Sequence, residues 1–467
     1  MRTIRIFGHY IRLQILLLAM LEALIFMASI YVGAFMRFVG DIYAAETQIG
    51  WLLPRAIVFA SVMVSSLAAL GLYQSNQREG ILSTALRISA SFLLGGIAMA
   101  VCFYVFPGIY TGRGAFGLAT AVSFLGIVTV RAISLSPIGE NLFRRRVLVL
   151  GTGAKASSIL GMRRRADWRG FSLIGFVHVQ GEPDVVDPSK VLTLDKPLVD
   201  FAIEQEIDQI VIALDERRSN LPVDELLKCK MNGIDVLEIF TFFEREFGKI
   251  RLDMLQPSQL IFSDGFQPNA LYPYIKRIFD IAVVLLLLAI AWPIMAVTAL
   301  AILRESGGTG PILYRQLRVG QGGKLFNILK FRSMRVDAER DQHARWAEAN
   351  DSRITRVGAV IRKFRIDELP QALNVLRGDM SFVGPRPERP EFVSQLTDTI
   401  PLYAQRHLVK AGISGWAQLC YPYGSSEKDA REKLQYDLYY VKNNSLFLDL
   451  LILLQTAEVV LFRKGAR

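Results

Sequence analysis

The 467-residue chain is long enough for two or three domains, and its 52% hydrophobic content and mean hydropathy of +0.31 are high for a soluble protein. A net charge of +11 calls for an anionic partner, and because the apolar residues gather in blocks, lipid and phosphate fit better than nucleic acid. Cys102, Cys229 and Cys420 are far apart and His9, His178, His343 and His407 are scattered, which argues against a disulfide framework or a zinc site and leaves a hard cation on carboxylates and phosphates as the expected metal.

Four apolar runs come first, at about 13–35, 51–72, 88–106 and 115–133, and each is long enough to cross a bilayer. The first is too long for a cleaved signal peptide, and no clear small-residue cleavage site follows it. Arg2, Arg5 and Arg12 precede it, Arg78 and Arg87 lie between the second and third runs, and Arg144, Arg145 and Arg146 follow the fourth. The other two loops carry only Arg37, with Asp41 and Glu46, and Arg113. The excess of cations predicts that both ends of this four-helix region, 1–140, face the cytoplasm.

Residues 141–250 read as an α/β domain. Segment 146–150 is a buried strand, and Gly151-Thr152-Gly153-Ala154-Lys155-Ala156 turns into a helix. Further strands fall at 173–179, 209–214 and near 235–239, with a helix at 222–231; this alternation predicts a parallel, Rossmann-like sheet. Gly151, Gly153 and Ala156 fit a dinucleotide fingerprint, in which glycine lets the backbone approach a pyrophosphate. The acidic ribose partner expected about 20 residues later is not clear, since Glu182 and Asp184 come after the second strand. A tight turn in a purely structural domain is therefore favoured over a cofactor site. A linker, 251–273, follows.

Lys276-Arg277-Ile278-Phe279-Asp280 opens a fifth apolar block, 278–303. Its cations either attract a lipid phosphate or anchor the helix at the headgroups. Arg304, Arg315 and Arg318 follow the block, so both of its ends prefer the cytoplasm, and Pro293 removes a backbone donor midway. These features predict a helix–break–helix over 276–304 that enters and leaves by one membrane face; the alternative is a fifth span. Next, a hairpin carries Arg315, Arg318, Lys330 and Arg332, a set suited to a pyrophosphate or simply to solvent.

Asp367-Glu368-Leu369-Pro370-Gln371 predicts a helix start, with Asp367 as its N-cap and Pro370 in the first turn. Leu369, Leu373 and Leu376 form an apolar stripe, Asp367, Gln371 and Asn374 a polar one, and Gly378 ends the helix. Two prolines flank Arg386, which makes it either a stiff phosphate clamp or part of a rigid surface loop. The aromatic residues of 412–418 and 436–440 suit core packing or a membrane interface better than base stacking. The final apolar stretch, 446–461, holds Asp449 and reads as an amphipathic surface or core helix, not a span.

Together these residues resemble the bacterial sugar transferases, the polyprenol phosphate phosphoglycosyl transferases of the monotopic superfamily. The motifs that carry the likeness are Lys276-Arg277-x-Phe279-Asp280, Lys330-Phe331-Arg332-Ser333-Met334, Asp367-Glu368-Leu369-Pro370-Gln371, Asn374-Val375-Leu376-Arg377-Gly378-Asp379-Met380-Ser381, Val383-Gly384-Pro385-Arg386-Pro387 and Gly412-Ile413-Ser414-Gly415-Trp416-Ala417-Gln418. The front half looks like the large exopolysaccharide-initiating branch, and the ending is similar to the transferases of PEP-CTERM exopolysaccharide systems. Two positions depart from the family pattern: Trp292 precedes Pro293 where serine is usual, and Ala411 precedes Gly412 where proline is usual.

The resemblance implies a membrane α-helical region of four transmembrane helices, a Rossmann-like α/β domain, and an α+β catalytic domain over 274–467 with a re-entrant membrane helix. It implies ping-pong transfer of a hexose 1-phosphate, glucose or galactose, from a UDP-sugar to undecaprenyl phosphate. In that scheme Asp367 is the nucleophile and Glu368 binds Mg²⁺. Lys330, Arg332, Arg386 and Arg315 bind substrate phosphate; Lys276, Arg277 and Asp280 meet the lipid phosphate and interface; and Pro293 breaks the helix. It places the enzyme in the bacterial cytoplasmic membrane with its catalytic domain on the cytoplasmic face. Its expected partners are membrane lipid, a second copy of itself and other exopolysaccharide-assembly proteins, and no nucleic acid. The competing readings are a membrane-tethered nucleotide-sugar epimerase or dehydratase, which needs a Tyr-x-x-x-Lys pair that Tyr436-x-x-x-Tyr440 does not supply, and a noncatalytic assembly scaffold.

Overall fold

The computed structural model describes residues 3–6, 9–73, 81–134, 144–161, 171–215, 221–254, 271–335, 353–421, 424 and 426–461. Apart from a few residues at the N-terminus, they divide into two compact units, one ending at Phe247 and the other beginning at Gly248.

Two short paired strands, β1 (Thr3–Ile6) and β2 (His9–Arg12), precede the first unit's helices α1 (Leu13–Arg37), α2 (Ile42–Ile49), α3 (Leu52–Ala69), α4 (Ile81–Val105) and α5 (Arg113–Ser134). Helices α1, α3, α4 and α5 are each long and apolar enough to cross a membrane. Phe26, Phe59 and Phe92 meet at their core, with Phe116 and Phe124 packed edge-on against them. The short α2, capped by the Asp41 carboxylate on the Ala44 N–H, lies in what read as a plain loop. Glu22 on α1 is fully buried and receives the Arg131 fork of α5 at 2.6 and 3.0 Å, together with the Tyr73 hydroxyl at 2.5 Å. A charge among apolar helices persists only when paired and hydrogen-bonded in this way.

The same unit contains β3 (Arg145–Leu150), α6 (Ala154–Leu160), β4 (Phe171–Val177), β5 (Val191–Leu192), α7 (Leu198–Glu204), β6 (Gln209–Ile212), α8 (Val223–Met231), β7 (Asp235–Glu238) and α9 (Ile239–Phe247). The five strands are parallel in the order β5-β4-β3-β6-β7, the doubly wound arrangement, with Val147–Leu150 of β3 buried at its centre. Strand order reverses between β3 and β6, and the Gly-rich turn lies there, with Gly151 at φ +121°. Asp215 occupies the place of an anion at this turn: its carboxylate accepts the Ala154 and Lys155 N–H groups at 2.7 and 2.8 Å. The Lys155 ammonium donates to the Leu214 and Asp215 carbonyls, and Glu182 accepts the Asp215 N–H. Gly153 thus makes room for the chain's own carboxylate, since a Cβ there would collide with Asp215.

The second unit starts earlier than the expected linker. The Trp416 indole N–H donates to the Gly248 carbonyl at 2.7 Å, Ile250 N–H donates to the Gln435 carbonyl at 3.0 Å, and Lys249 pairs with Glu432 at 3.4 Å. Segment 248–254 is therefore packed, while 255–270 lies outside the described residues. Then come α10 (Tyr272–Glu305), β8 (Leu313–Val319), β9 (Leu325–Phe331), α11 (Arg356–Lys363), α12 (Gln371–Arg377), β10 (Ser381–Val383), α13 (Pro390–Thr399), β11 (Gly412–Ser414), α14 (Trp416–Cys420), α15 (Glu427–Asn443) and α16 (Leu446–Leu461). Strands β8 and β9 form an antiparallel hairpin, and β10 and β11 pair in parallel.

Helix α10 runs 34 residues through Pro293 as one helical segment, so the expected break is not a gap between two helices. One missing N–H leaves one carbonyl to be satisfied elsewhere, a cost that packing on either side of the proline offsets. The helix buries one stripe, Asp280, Val284, Ala291, Thr298 and Ile302. Val284 joins Ile328, Ala372, Val375 and Met380 in one core, and Ile302 joins Phe331 and Ile361 in another. The rest of the helix is apolar and exposed, including Ile278, Leu285, Leu286, Ile290, Trp292, Val297 and Leu300.

Candidate active site

Asp367 and Glu368 lie in a 3-10 turn, Ile366–Glu368, one step ahead of α12. Pro370, not Asp367, occupies the N-cap position of α12, and no side chain caps it. The expected N-cap role of Asp367 is thus replaced by a place in the turn itself, and among the described residues its carboxylate accepts no hydrogen bond. The polar stripe behind it has a structural cause. Fully buried Asn374 accepts the Leu329 N–H at 2.9 Å and donates to the Asn327 carbonyl at 2.7 Å, tying α12 to β9, the strand that carries Lys330.

Glu368 is the hub of the charges. Its Oε1 takes the Arg386 guanidinium at 2.8 Å and the Lys330 ammonium at 3.5 Å, while Arg365 stands 3.8 Å from Oε2. Burial alone would raise its pKa, but Arg386 and Lys330 outweigh that and hold it well below the usual carboxylate range. Asp367 moves the other way. Burial, then the Glu368 charge, push it up to about 6 against the pull of Lys330, Arg362 and Arg386. Burial lowers the pKa of Lys330, with Glu368 opposing. Two adjacent carboxylates therefore have separate characters, one held charged well below the usual range and one that titrates at about 6.

Arg386 is aimed by its backbone. Its carbonyl accepts from Arg406 at 2.9 Å, the Pro387 carbonyl accepts from Arg318 at 3.2 Å, and buried Arg406 is paired in turn with Asp437 at 2.8 Å. The glycines on either side serve close approach. Gly384 N–H donates to the Ser414 carbonyl and Gly412 N–H to the Pro385 carbonyl, and a Cβ on Gly412 would collide with the Gly384 backbone.

The hairpin divides its four cations. Tyr314 pairs with Lys330 and Arg318 with Phe326, so Arg318 and Lys330 share a face, whereas Arg315, opposite Leu329, projects from the other face and is exposed. Arg332, beyond the strand end, donates to the Thr309 carbonyl at 3.3 Å. Lys330 and Arg386 thus meet the carboxylate pair, while Arg315 and Arg332 are turned elsewhere.

Lys276, Arg277 and Asp280 are engaged within the protein. The Lys276 ammonium is 3.0 Å from both Asp280 and Asp449, and Asp280 accepts the Ser381 hydroxyl and the Phe382 N–H. Arg277 donates to the Val375 and Leu376 carbonyls at 2.5 and 2.7 Å, at the C-terminal end of α12. These contacts fasten α10 to α12, β10 and α16. The charge in the last apolar stretch, Asp449, is the partner that Lys276 needs, and the Tyr440 and Tyr272 hydroxyls also donate to it.

Sequence reasoning missed Arg365, Arg362, Arg406 and Asp437 as neighbours of the site. Asp437 stands inside the aromatic segment 436–440, but nothing in the spacing ties it to Arg406. Among the described residues no three His, Cys, Asp or Glu side chains are grouped to hold a metal. Mg²⁺, which keeps waters and takes substrate phosphates, needs only one or two carboxylates. The ionised Glu368 beside Asp367 fits that demand.

Residues 271–463 match the bacterial sugar transferase family, and residues 68–236 match a CoA-binding domain family. The chain is 45% identical over 243 residues to the UDP-N-acetylgalactosamine-undecaprenyl-phosphate N-acetylgalactosaminephosphotransferase of Aeromonas hydrophila, a match that covers 52% of this chain and 56% of that protein. Its match to the UDP-glucose:undecaprenyl-phosphate glucose-1-phosphate transferase of Xanthomonas campestris is 29% identical and covers 88% of each chain. A protein of the same description from Escherichia coli K12 is 31% identical over 74% of this chain and 75% of its own length. With its motifs in order and relatives matched over most of their length, the chain belongs to the bacterial sugar transferase family.

Proposed function

We infer that this protein moves a sugar 1-phosphate from a UDP-sugar to undecaprenyl phosphate at the cytoplasmic face of the bacterial inner membrane, releasing UMP and initiating an exopolysaccharide. The observation that carries this reading is the Asp367–Glu368 pair under Lys330 and Arg386, built on the same unit as the exposed apolar face of α10. The names of the relatives, which include glucose and N-acetylgalactosamine, support the reaction and leave the sugar to be measured.

In this reading an Asp367 oxygen attacks the β-phosphorus of the donor. The bond from that phosphorus to the bridging oxygen breaks, and UMP leaves with the electron pair. Asp367 then carries the sugar phosphate until an oxygen of undecaprenyl phosphate attacks the same phosphorus and the carboxylate departs. A carboxylate is a weak nucleophile, but phosphoryl transfer depends on position and charge neutralisation more than on basicity. Arg386 and Lys330 supply fixed positive charge beside the reacting oxygens. Mg²⁺, held by Glu368, would neutralise further diphosphate charge.

The exposed face of α10 belongs in lipid. Its buried stripe keeps contact with the catalytic core from Asp280 to Ile302, on both sides of Pro293. A helix crossing the bilayer would carry the hairpin and α11 into hydrocarbon with it, so a shallow, re-entrant placement fits better.

The test is to incubate the purified protein with undecaprenyl phosphate, Mg²⁺ and a panel of UDP-glucose, UDP-galactose and UDP-N-acetylgalactosamine, and to measure UMP. Lipid-dependent UMP from at least one donor is expected. No UMP from any UDP-sugar would remove the transferase reading in favour of a scaffold.

A further inference from the structure

Arg365 holds a backbone conformation that side chains avoid. Its φ of 55° and ψ of 23° are left-handed, a region that glycine usually fills. It sits between α11 and the turn that carries Asp367 and Glu368. The turn makes its own bonds there: Arg365 N–H donates to the Arg362 carbonyl at 3.1 Å, and the Arg365 carbonyl accepts the Glu368 N–H at 3.3 Å. Glycine would make both. The fold therefore gives no reason for an arginine, and backbone strain retained beside reacting groups points to the side chain.

That side chain is the least enclosed of the three cations paired with Glu368. It is 39% exposed, against 33% for Arg386 and 19% for Lys330. It is also the least committed. At 3.8 Å from Oε2 it lies beyond hydrogen-bond reach, while Arg386 is bonded to Oε1 at 2.8 Å. A guanidinium held near a carboxylate without bonding it keeps its planar fork for another anion, and a phosphate fits that fork.

We propose that Arg365 is a substrate-binding residue that takes a non-bridging phosphate oxygen above the Asp367–Glu368 pair, leaving Glu368 Oε2 uncovered. The inference rests on the transferase reading given above. The phosphate belongs either to the donor's diphosphate or to the polyprenyl acceptor, and the two half-reactions separate these sources.

The experiment compares full-length wild type with Arg365→Gly and Arg365→Lys in detergent. Glycine relaxes the backbone and removes only the side chain, so its melting temperature should equal or exceed that of wild type. Its KM should rise about tenfold or more, as expected when a charge-assisted contact is lost, while lysine recovers part of the loss. Added methylguanidinium should restore activity to the glycine variant and leave wild type unchanged. Slowed formation of the sugar-phosphate adduct without acceptor would assign the donor diphosphate; normal adduct formation with slowed transfer would assign the acceptor phosphate. A glycine variant with wild-type KM and kcat in both half-reactions overturns the inference alone, as does one that melts well below wild type. A wild-type protein that releases no UMP overturns the transferase reading and takes this inference with it.

Discussion

The Arg386 guanidinium meets Oε1 of Glu368 at 2.8 Å, and the Lys330 ammonium approaches the same oxygen at 3.5 Å. Two cations on one oxygen keep Glu368 charged despite its burial. Glu368→Gln preserves the shape and removes the charge. Turnover should fall by about two to three orders of magnitude, as when a key electrostatic contact is lost, and the Mg²⁺ concentration needed for half-maximal rate should rise. Steady-state UMP release across a Mg²⁺ series checks both; an unchanged rate would deny Glu368 its role.

Lys276 is held between Asp280 and Asp449, at 3.0 Å from each. Lys276→Met leaves two buried carboxylates without their cation, which should destabilise the protein by about 3–5 kcal/mol. The KM for undecaprenyl phosphate in the folded fraction should stay near that of wild type. Chemical denaturation in detergent, paired with acceptor kinetics, separates this structural role from lipid-phosphate binding: a raised KM with unchanged stability would favour the latter.

His407 is pushed down to about 4 by burial and then by the neighbouring Arg406 charge. The unfolded chain therefore takes up a proton below about pH 6.5 that the folded chain refuses until about pH 4. Its contribution to stability is intact above that window and is lost as pH falls through it. Asp437, raised to about 6 chiefly by burial, has the opposite slope but is common to both proteins when wild type is compared with His407→Gln. The melting temperature of wild type should drop relative to the variant between pH 6.5 and 4; parallel curves would show that His407 titrates normally.

The placement of α10 is tested by single cysteines at its two exposed ends, Tyr274→Cys and Arg304→Cys, with Cys102, Cys229 and Cys420 replaced. A re-entrant helix predicts that a membrane-impermeant thiol reagent labels both sites from the cytoplasmic side only. Periplasmic labelling at 304 would make α10 a span.

The apolar helices and the parallel sheet were legible because their signals are local and repeated: runs of bilayer length, and strands alternating with helices. The expected linker was harder, since residues 248–254 pack through the Trp416 indole and the Gln435 carbonyl, far along the chain. The Gly-rich turn gave its geometry but not its occupant, because Asp215 arrives from the end of another strand. Asp367, Glu368, Lys330 and Arg386 were identified by motif and converge in space. Arg315 and Arg332 were not separable from Lys330 by composition, and only the hairpin register divides them. Lys276 and Arg277 read as lipid-facing because their partners, Asp449 and the carbonyls ending α12, are distant in sequence. Arg365 left no trace in spacing at all, since its mark is a backbone angle.

The central claim is that Asp367 carries the sugar phosphate. Intact-protein mass spectrometry after incubation with a UDP-sugar and Mg²⁺, without acceptor, tests it most directly. Wild type should gain the mass of one sugar phosphate and lose it when undecaprenyl phosphate is added, whereas Asp367→Asn, folded and membrane-bound, should gain nothing and turn over no donor. An adduct that persists in Asp367→Asn would place the nucleophile elsewhere, and turnover by wild type with no adduct under single-turnover conditions would contradict the covalent route.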